Sequence, residues 1–134
     1  MHFTTLPIVR LSPSYIFCIS NYITAVRPVL PELSSVVQSG VQTVLYAGDA
    51  DWICDWFGGL ATANAIEYSG QGIFQNLPVI NYTVNGEVKG TFKTVGKLSW
   101  LRVFNSGHQV PSFQPELALQ VFIQTMQKKP LFST

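Results

Sequence analysis

The chain has 134 residues, of which 47% are hydrophobic and 11% charged, with a formal net charge of +1. Charged residues make up roughly a quarter of an ordinary soluble domain, so this composition excludes a disordered segment, a basic nucleic-acid module and an acidic tail. Nucleic acid is not an expected partner, and a surface so poor in charge is expected to be covered by more chain.

Two cysteines, Cys18 and Cys54, allow at most one disulfide, which leaves their pairing and the redox compartment open. The apolar stretch around residues 15–19 is interrupted by Arg10, Ser20, Asn21 and Arg27 and falls far short of the ~20 residues of a spanning helix, so no membrane association is expected. As a secretory leader it is poor, because His2 is the sole candidate positive charge before Arg10.

Residues 1 to about 30 carry no steady period and are punctuated by prolines at 7, 13, 28 and 31. They read as irregular. The boundary is placed between an irregular segment, 1–33, and a domain part, 34–134. Residues 41–47 (VQTVLYA) form an apolar, β-branched run closed by Gly48-Asp49, which fits a strand buried on both faces as in a parallel sheet. Residues 52 to about 66 read as loop and then helix. Alternation on both sides of Asn85-Gly86, across residues 80–95, is a strong hairpin signal. A second buried strand, residues 98–104, runs into Asn105-Ser106-Gly107-His108. The last element is a core-packing helix from Pro115 to Lys128, with Glu116 in its first turn and Ala118, Phe122 and Met126 in i, i+4 register.

Two strands therefore end in polar, glycine-flanked turns. In α/β sheets, sites form outside the carboxyl ends of parallel strands. Asp49, Asp51 and Asp55 are three of the seven acids in the chain and fall within seven residues of each other. An Asp at one strand end and a His at a later one is the carboxyl half of the order Ser, Asp, His in α/β-hydrolases. A nucleophile is then expected upstream.

The residues go further than that order. The run from Val44 to Trp56 (VLYAGDADWICDW), followed by Leu101 to Pro111 (LRVFNSGHQVP), resembles the Asp and His motifs of the serine carboxypeptidases, closest to their fungal secreted and vacuolar forms. The resemblance covers about residues 34 to 128, the hairpin included. It implies that Asp51 is the triad carboxylate, that His108 is the general base, and that Asp49 is a structural residue at the strand end. It also implies that Cys54 is an unpaired cysteine near the substrate pocket and that Gln109 faces the leaving-group side. Trp52 and Trp56 are weighed between pocket lining and core packing, with packing favoured. The implied activity is release of carboxyl-terminal amino acids from peptide substrates through an acyl-enzyme, with no cofactor. The implied localisation is secreted or vacuolar.

The sequence also departs from the family. No Gly-x-Ser-x-Gly elbow occurs in it, nor do the glycine-rich oxyanion segment and the disulfide framework. The expected architecture is therefore the carboxyl-terminal portion of an α/β-hydrolase: an incomplete, mostly parallel sheet with a β-hairpin and a terminal helix. Its natural partner is the missing amino-terminal segment of the same enzyme. Alone, the chain is expected to lack peptidase activity and to be poorly soluble or only partly ordered. A non-catalytic binding or scaffold remnant and one half of a split esterase-type hydrolase are the alternatives. A metal held by Asp49, Asp51 and His108 is not expected, because metal-ligand spacing is absent. Asn81-Tyr82-Thr83 is a glycosylation sequon at the start of the hairpin.

Overall fold

A computed structural model describes residues 29–134. The irregular reading of residues 1 to about 30, the leader question, His2 and Cys18 lie outside the described residues.

The first element is helix α1, Leu30–Gln38. Pro31 stands in its first turn, where a missing N–H costs nothing, and Glu32 faces the positive end of the helix dipole. The proline that reads as a breaker in the sequence is thus a helix start. Strand β1 (Thr43–Gly48) follows, and then helix α2 (Trp56–Ala65), which is capped by Asp55: its Oδ1 accepts from the Gly58 N–H at 2.7 Å. A short helix α3 (Gln71–Asn76), strands β2 (Ile80–Val84), β3 (Glu87–Val95) and β4 (Leu98–Val103), and helices α4 (Val110–Phe113) and α5 (Pro115–Met126) complete the order.

The four strands form one sheet in the order β1-β4-β3-β2. Strands β1 and β4 are parallel, with Tyr46 opposite Leu101 and Gly48 opposite Val103. The other two pairings are antiparallel, so among the described residues the sheet is mainly antiparallel rather than mostly parallel as expected. The reason is the hairpin. It does not stand off the sheet, because β3 runs along β4 from Gly90 opposite Val103 to Val95 opposite Leu98 and extends the sheet sideways. Its turn follows from Asn85 and Gly86, both at positive φ (53° and 80°), the conformation that lets a two-residue loop match the strand twist.

Each face of the sheet carries a core. Leu98 and Trp100 of β4 point to one side, with Val37 of α1, Ala63 of α2 and Phe74 of α3. Leu101 and Val103 point to the other, with Tyr82 and Phe92 of the hairpin and Leu117 and Val121 of α5. Burying one such large side chain contributes about 1.5–3 kcal/mol. Lys93 is also buried. Its ammonium donates to Asn64 Oδ1 and to the Phe74 carbonyl, both at 2.8 Å, and sits 4.4 Å over the Phe74 ring, tying β3 to α2 and α3. Desolvation holds its pKa below the usual lysine value.

Two further expectations are corrected. Among the described residues, strand β1 is not buried on both faces: it lies at the sheet edge, and Tyr46 is 45% exposed. Helix α5 packs a different stripe from the one read in the sequence. It buries Leu117, Val121 and Gln124, and leaves Phe122 and Met126 62% and 65% exposed. Gln124 belongs to the buried stripe because its amide is satisfied there: Nε2 donates to the Phe132 carbonyl at 2.9 Å, and Oε1 accepts from the Phe132 N–H at 3.1 Å. No helix among the described residues is long and apolar enough to cross a membrane.

Candidate active site

Because β1 and β4 are parallel neighbours, the turns that leave them lie side by side at one edge of the sheet. The backbone stitches these turns together. The Asp49 N–H donates to the Val103 carbonyl at 2.8 Å, and the Ala50 N–H to the Ser106 carbonyl at 2.9 Å. Gly48 is required for this approach, since a Cβ there would lie 2.1 Å from Ser106 O and 2.5 Å from Gly107 O. Asn105 adopts positive φ (52°) and turns the second loop toward the first.

This stitching brings Asp51 and His108 together. His108 Nδ1 lies 2.9 Å from Asp51 Oδ2, and Asp51 Oδ1 accepts from the N–H groups of Ile53 (2.9 Å) and Cys54 (3.0 Å). The Asp51 side chain is nearly fully buried, at 4% exposure, whereas the His108 ring is 57% exposed. Burial pushes the Asp51 pKa up, but the Cys54 N–H, His108 and the Ile53 N–H together outweigh it and hold the carboxyl below its ordinary value of 3.8. An ionised carboxylate accepts hydrogen bonds and cannot donate them. The neutral ring therefore carries its proton on Nδ1 and leaves Nε2 as a free base. Among the described residues, no serine hydroxyl is hydrogen-bonded to that ring.

The three clustered acids divide their work. Asp55 caps α2 and takes no part in the pair. Asp49 Oδ1 receives the Ser106 N–H at 3.4 Å, and its Oδ2 lies 3.8 Å from the Arg102 guanidinium. Arg102 was not singled out in the sequence. It stacks 4.1 Å over the Trp56 ring and 5.4 Å from that of Phe104, and a lone cation in an apolar strand was the one signal for it. Trp56 packs into the core beside Trp100, but Trp52 does not: it is 90% exposed, against the packing role favoured for it. Gln109 is exposed at the start of α4, next to His108. Cys54 is half-buried beside the pair. Asp51, Cys54 and His108 have ligand-type atoms within 4.8 Å of one another. Within that set, His108 Nδ1 is directed at the Asp51 carboxylate. Asn81 is exposed on the outer strand β2, far from the pair in the sheet order.

A parallel strand pair ending in a buried carboxylate and a solvent-facing imidazole, with helices on both faces of the sheet, is the carboxyl-terminal architecture of an α/β-hydrolase. The serine carboxypeptidase family model matches residues 12–128, and the chain belongs to that family. The match begins upstream of the boundary at residue 34 read from the sequence. Over 108 residues the chain is 53% identical to carboxypeptidase S1 of Penicillium janthinellum, covering 81% of this chain and 26% of that protein. It is 35% identical over 106 residues to carboxypeptidase S1 homolog A of Arthroderma otae, covering 79% of this chain and 16% of the relative. Serine carboxypeptidase-like 47 of Arabidopsis thaliana is 36% identical over 98 residues, 73% of this chain and 19% of its own length. Among solved structures, Kex1(delta)p, a prohormone-processing carboxypeptidase from Saccharomyces cerevisiae, shares the fold with a TM-score of 0.65 at 23% identity. The alignment covers 80% of this chain and 26% of that one. The chain thus spans about a quarter or less of the length of these relatives.

Proposed function

We propose that Asp51 and His108 are the orienting carboxylate and the general base of a serine carboxypeptidase triad whose serine comes from the part of the family's length that this chain does not span. The observation that supports this most is the 2.9 Å contact between His108 Nδ1 and a buried, ionised Asp51. In this reading His108 Nε2 takes the proton of the serine hydroxyl as its oxygen attacks the scissile carbonyl. The same nitrogen then gives the proton to the departing amine. Water repeats the sequence on the acyl-enzyme and frees the acid. Asp51 holds the Nδ1 tautomer and stabilises the imidazolium in each step. The substrate class is a peptide with a free carboxyl terminus, and no cofactor enters the chemistry.

Trp52, Cys54 and Gln109 surround this pair in sequence and are proposed to border the pocket. The exposure of Trp52 favours that role over packing. A secreted or vacuolar location fits the resemblance, and Asn81, exposed on β2, is proposed to carry an N-linked glycan. Digestion of the protein from a eukaryotic secretion host with an endoglycosidase, followed by mass measurement, tests the glycan: no mass loss, or the same loss from Asn81→Gln, refutes it.

The catalytic reading is tested by complementation. The chain is co-expressed with the amino-terminal part of Penicillium janthinellum carboxypeptidase S1 and assayed on a blocked dipeptide. Turnover is expected from the pair of fragments, none from the chain alone, and about 10⁴-fold less with His108→Ala. Turnover by the chain alone, or turnover indifferent to His108, overturns the reading. Hydrolysis of esters but not peptides favours the split-esterase alternative.

A further inference from the structure

The contact between Asp51 and His108 joins two separate turns, so something must set the distance between them. We propose that Gly48 and Asp49 are positioning residues that lock the His108 turn onto the end of β1 and so hold the imidazole against Asp51. The inference rests on the catalytic reading of that pair.

Three observations carry it. At Gly48 the backbone of Ser106 and Gly107 comes so close that a Cβ would lie 2.1 and 2.5 Å from their carbonyl oxygens; both are main-chain atoms, which cannot swing aside as a side chain does. The missing side chain is therefore a seat for the His108 turn. Next, Asp49 faces that turn from below: Oδ1 receives the Ser106 N–H, and Ser106 itself is 1% exposed. Finally, Asp49 Oδ2 lies 3.8 Å from Arg102, whose guanidinium is layered against Trp56, at the start of α2, and Phe104, just after β4. Trp56 follows Asp51 by five residues and Phe104 precedes His108 by four. The Asp49–Arg102 contact thus spans the roots of both catalytic turns. None of these groups touches the reacting atoms, and their effect passes through the geometry of the pair.

The test reads the pair itself. A proton held between His Nδ1 and a carboxylate gives a far-downfield resonance in the proton spectrum of the full chain. His108 and His2 are the two histidines in the sequence, so a His2→Gln variant assigns the signal. Gly48→Ala is expected to abolish it. Asp49→Ala weakens it, and Asp49→Asn, which keeps an acceptor for the Ser106 N–H, weakens it less. Val121→Ala, a core cavity remote from the pair, leaves it in place. Should Gly48→Ala fail to fold, the two Asp49 variants decide. In the complemented enzyme, Asp49→Ala is expected to lower kcat by up to about a hundredfold with KM unchanged, as a small misplacement of a catalytic group does. An unaltered resonance in Gly48→Ala and Asp49→Ala, or a resonance lost equally in Val121→Ala, overturns the inference. If instead the complemented enzyme ignores His108→Ala, the catalytic reading fails while the resonance still reports whether these residues position the ring.

Discussion

Strands β1 and β4 each lead to one member of the Asp51–His108 pair, yet they are held in place very differently. Strand β4 is central, paired on both sides and buried on both faces, with Leu98, Trp100, Leu101 and Val103 all at or below 1% exposure. Among the described residues, strand β1 lies at the edge, paired with β4 alone, and exposes Tyr46. The His108 turn therefore grows from the most firmly packed strand, whereas the Asp51 turn grows from a partly covered edge strand. Asp51 owes its place to local bonds, from Ile53 and Cys54, and to the stitching between the two turns rather than to a surrounding core.

This contrast can be broken at several points. The largest effect is expected in the pair: in the complemented enzyme, His108→Ala or Asp51→Asn should lower kcat by about 10⁴ without unfolding the chain, as loss of a triad member does. Next in size is the core of β4, where Trp100→Ala should cost about 3–5 kcal/mol in a denaturant titration. Leu45→Ala on β1, at a half-buried site, should cost clearly less, and equal costs would erase the distinction between the strands.

Acid provides a smaller test. The folded state holds Asp51 below its ordinary value of 3.8, so near that pH it binds fewer protons than the unfolded chain. Its contribution to stability is present above that pH and is lost as pH falls through the lowered folded value. Urea midpoints of the wild type and of Asp51→Asn should therefore converge on acidification. The smallest effect is expected on the exterior of α5, where Phe122→Gln should change stability by less than about 0.5 kcal/mol. A large loss there would mean that the helix buries the stripe read from the sequence.

The sequence made legible what local chemistry decides. Asn85-Gly86 specified a turn because its two residues take positive φ readily, and Asp51 and His108 stood out because polar turns interrupted two apolar strands. Pairings between distant segments were harder to read. Alternation in residues 80–95 announced a hairpin but not that its second strand would continue the sheet beside β4. The stripe of α5 that faces the core includes Gln124, whose burial depends on Phe132 and on Tyr82, which donates its hydroxyl to Gln124 Oε1 at 3.3 Å across 42 residues. Likewise the seat at Gly48 is visible once the Ser106 carbonyl arrives from the other strand, a contact that no window around residue 48 contains.

In the proposed enzyme, this chain supplies the base for a serine carried on another stretch of the same protein. The most direct measurement is the rate at which a fluorophosphonate labels the serine of the amino-terminal Penicillium janthinellum fragment, with and without this chain. Labelling should accelerate when the chain is added and return to the rate of the fragment alone with His108→Ala. Equal labelling with the wild-type chain and with His108→Ala would mean that His108 is not the base.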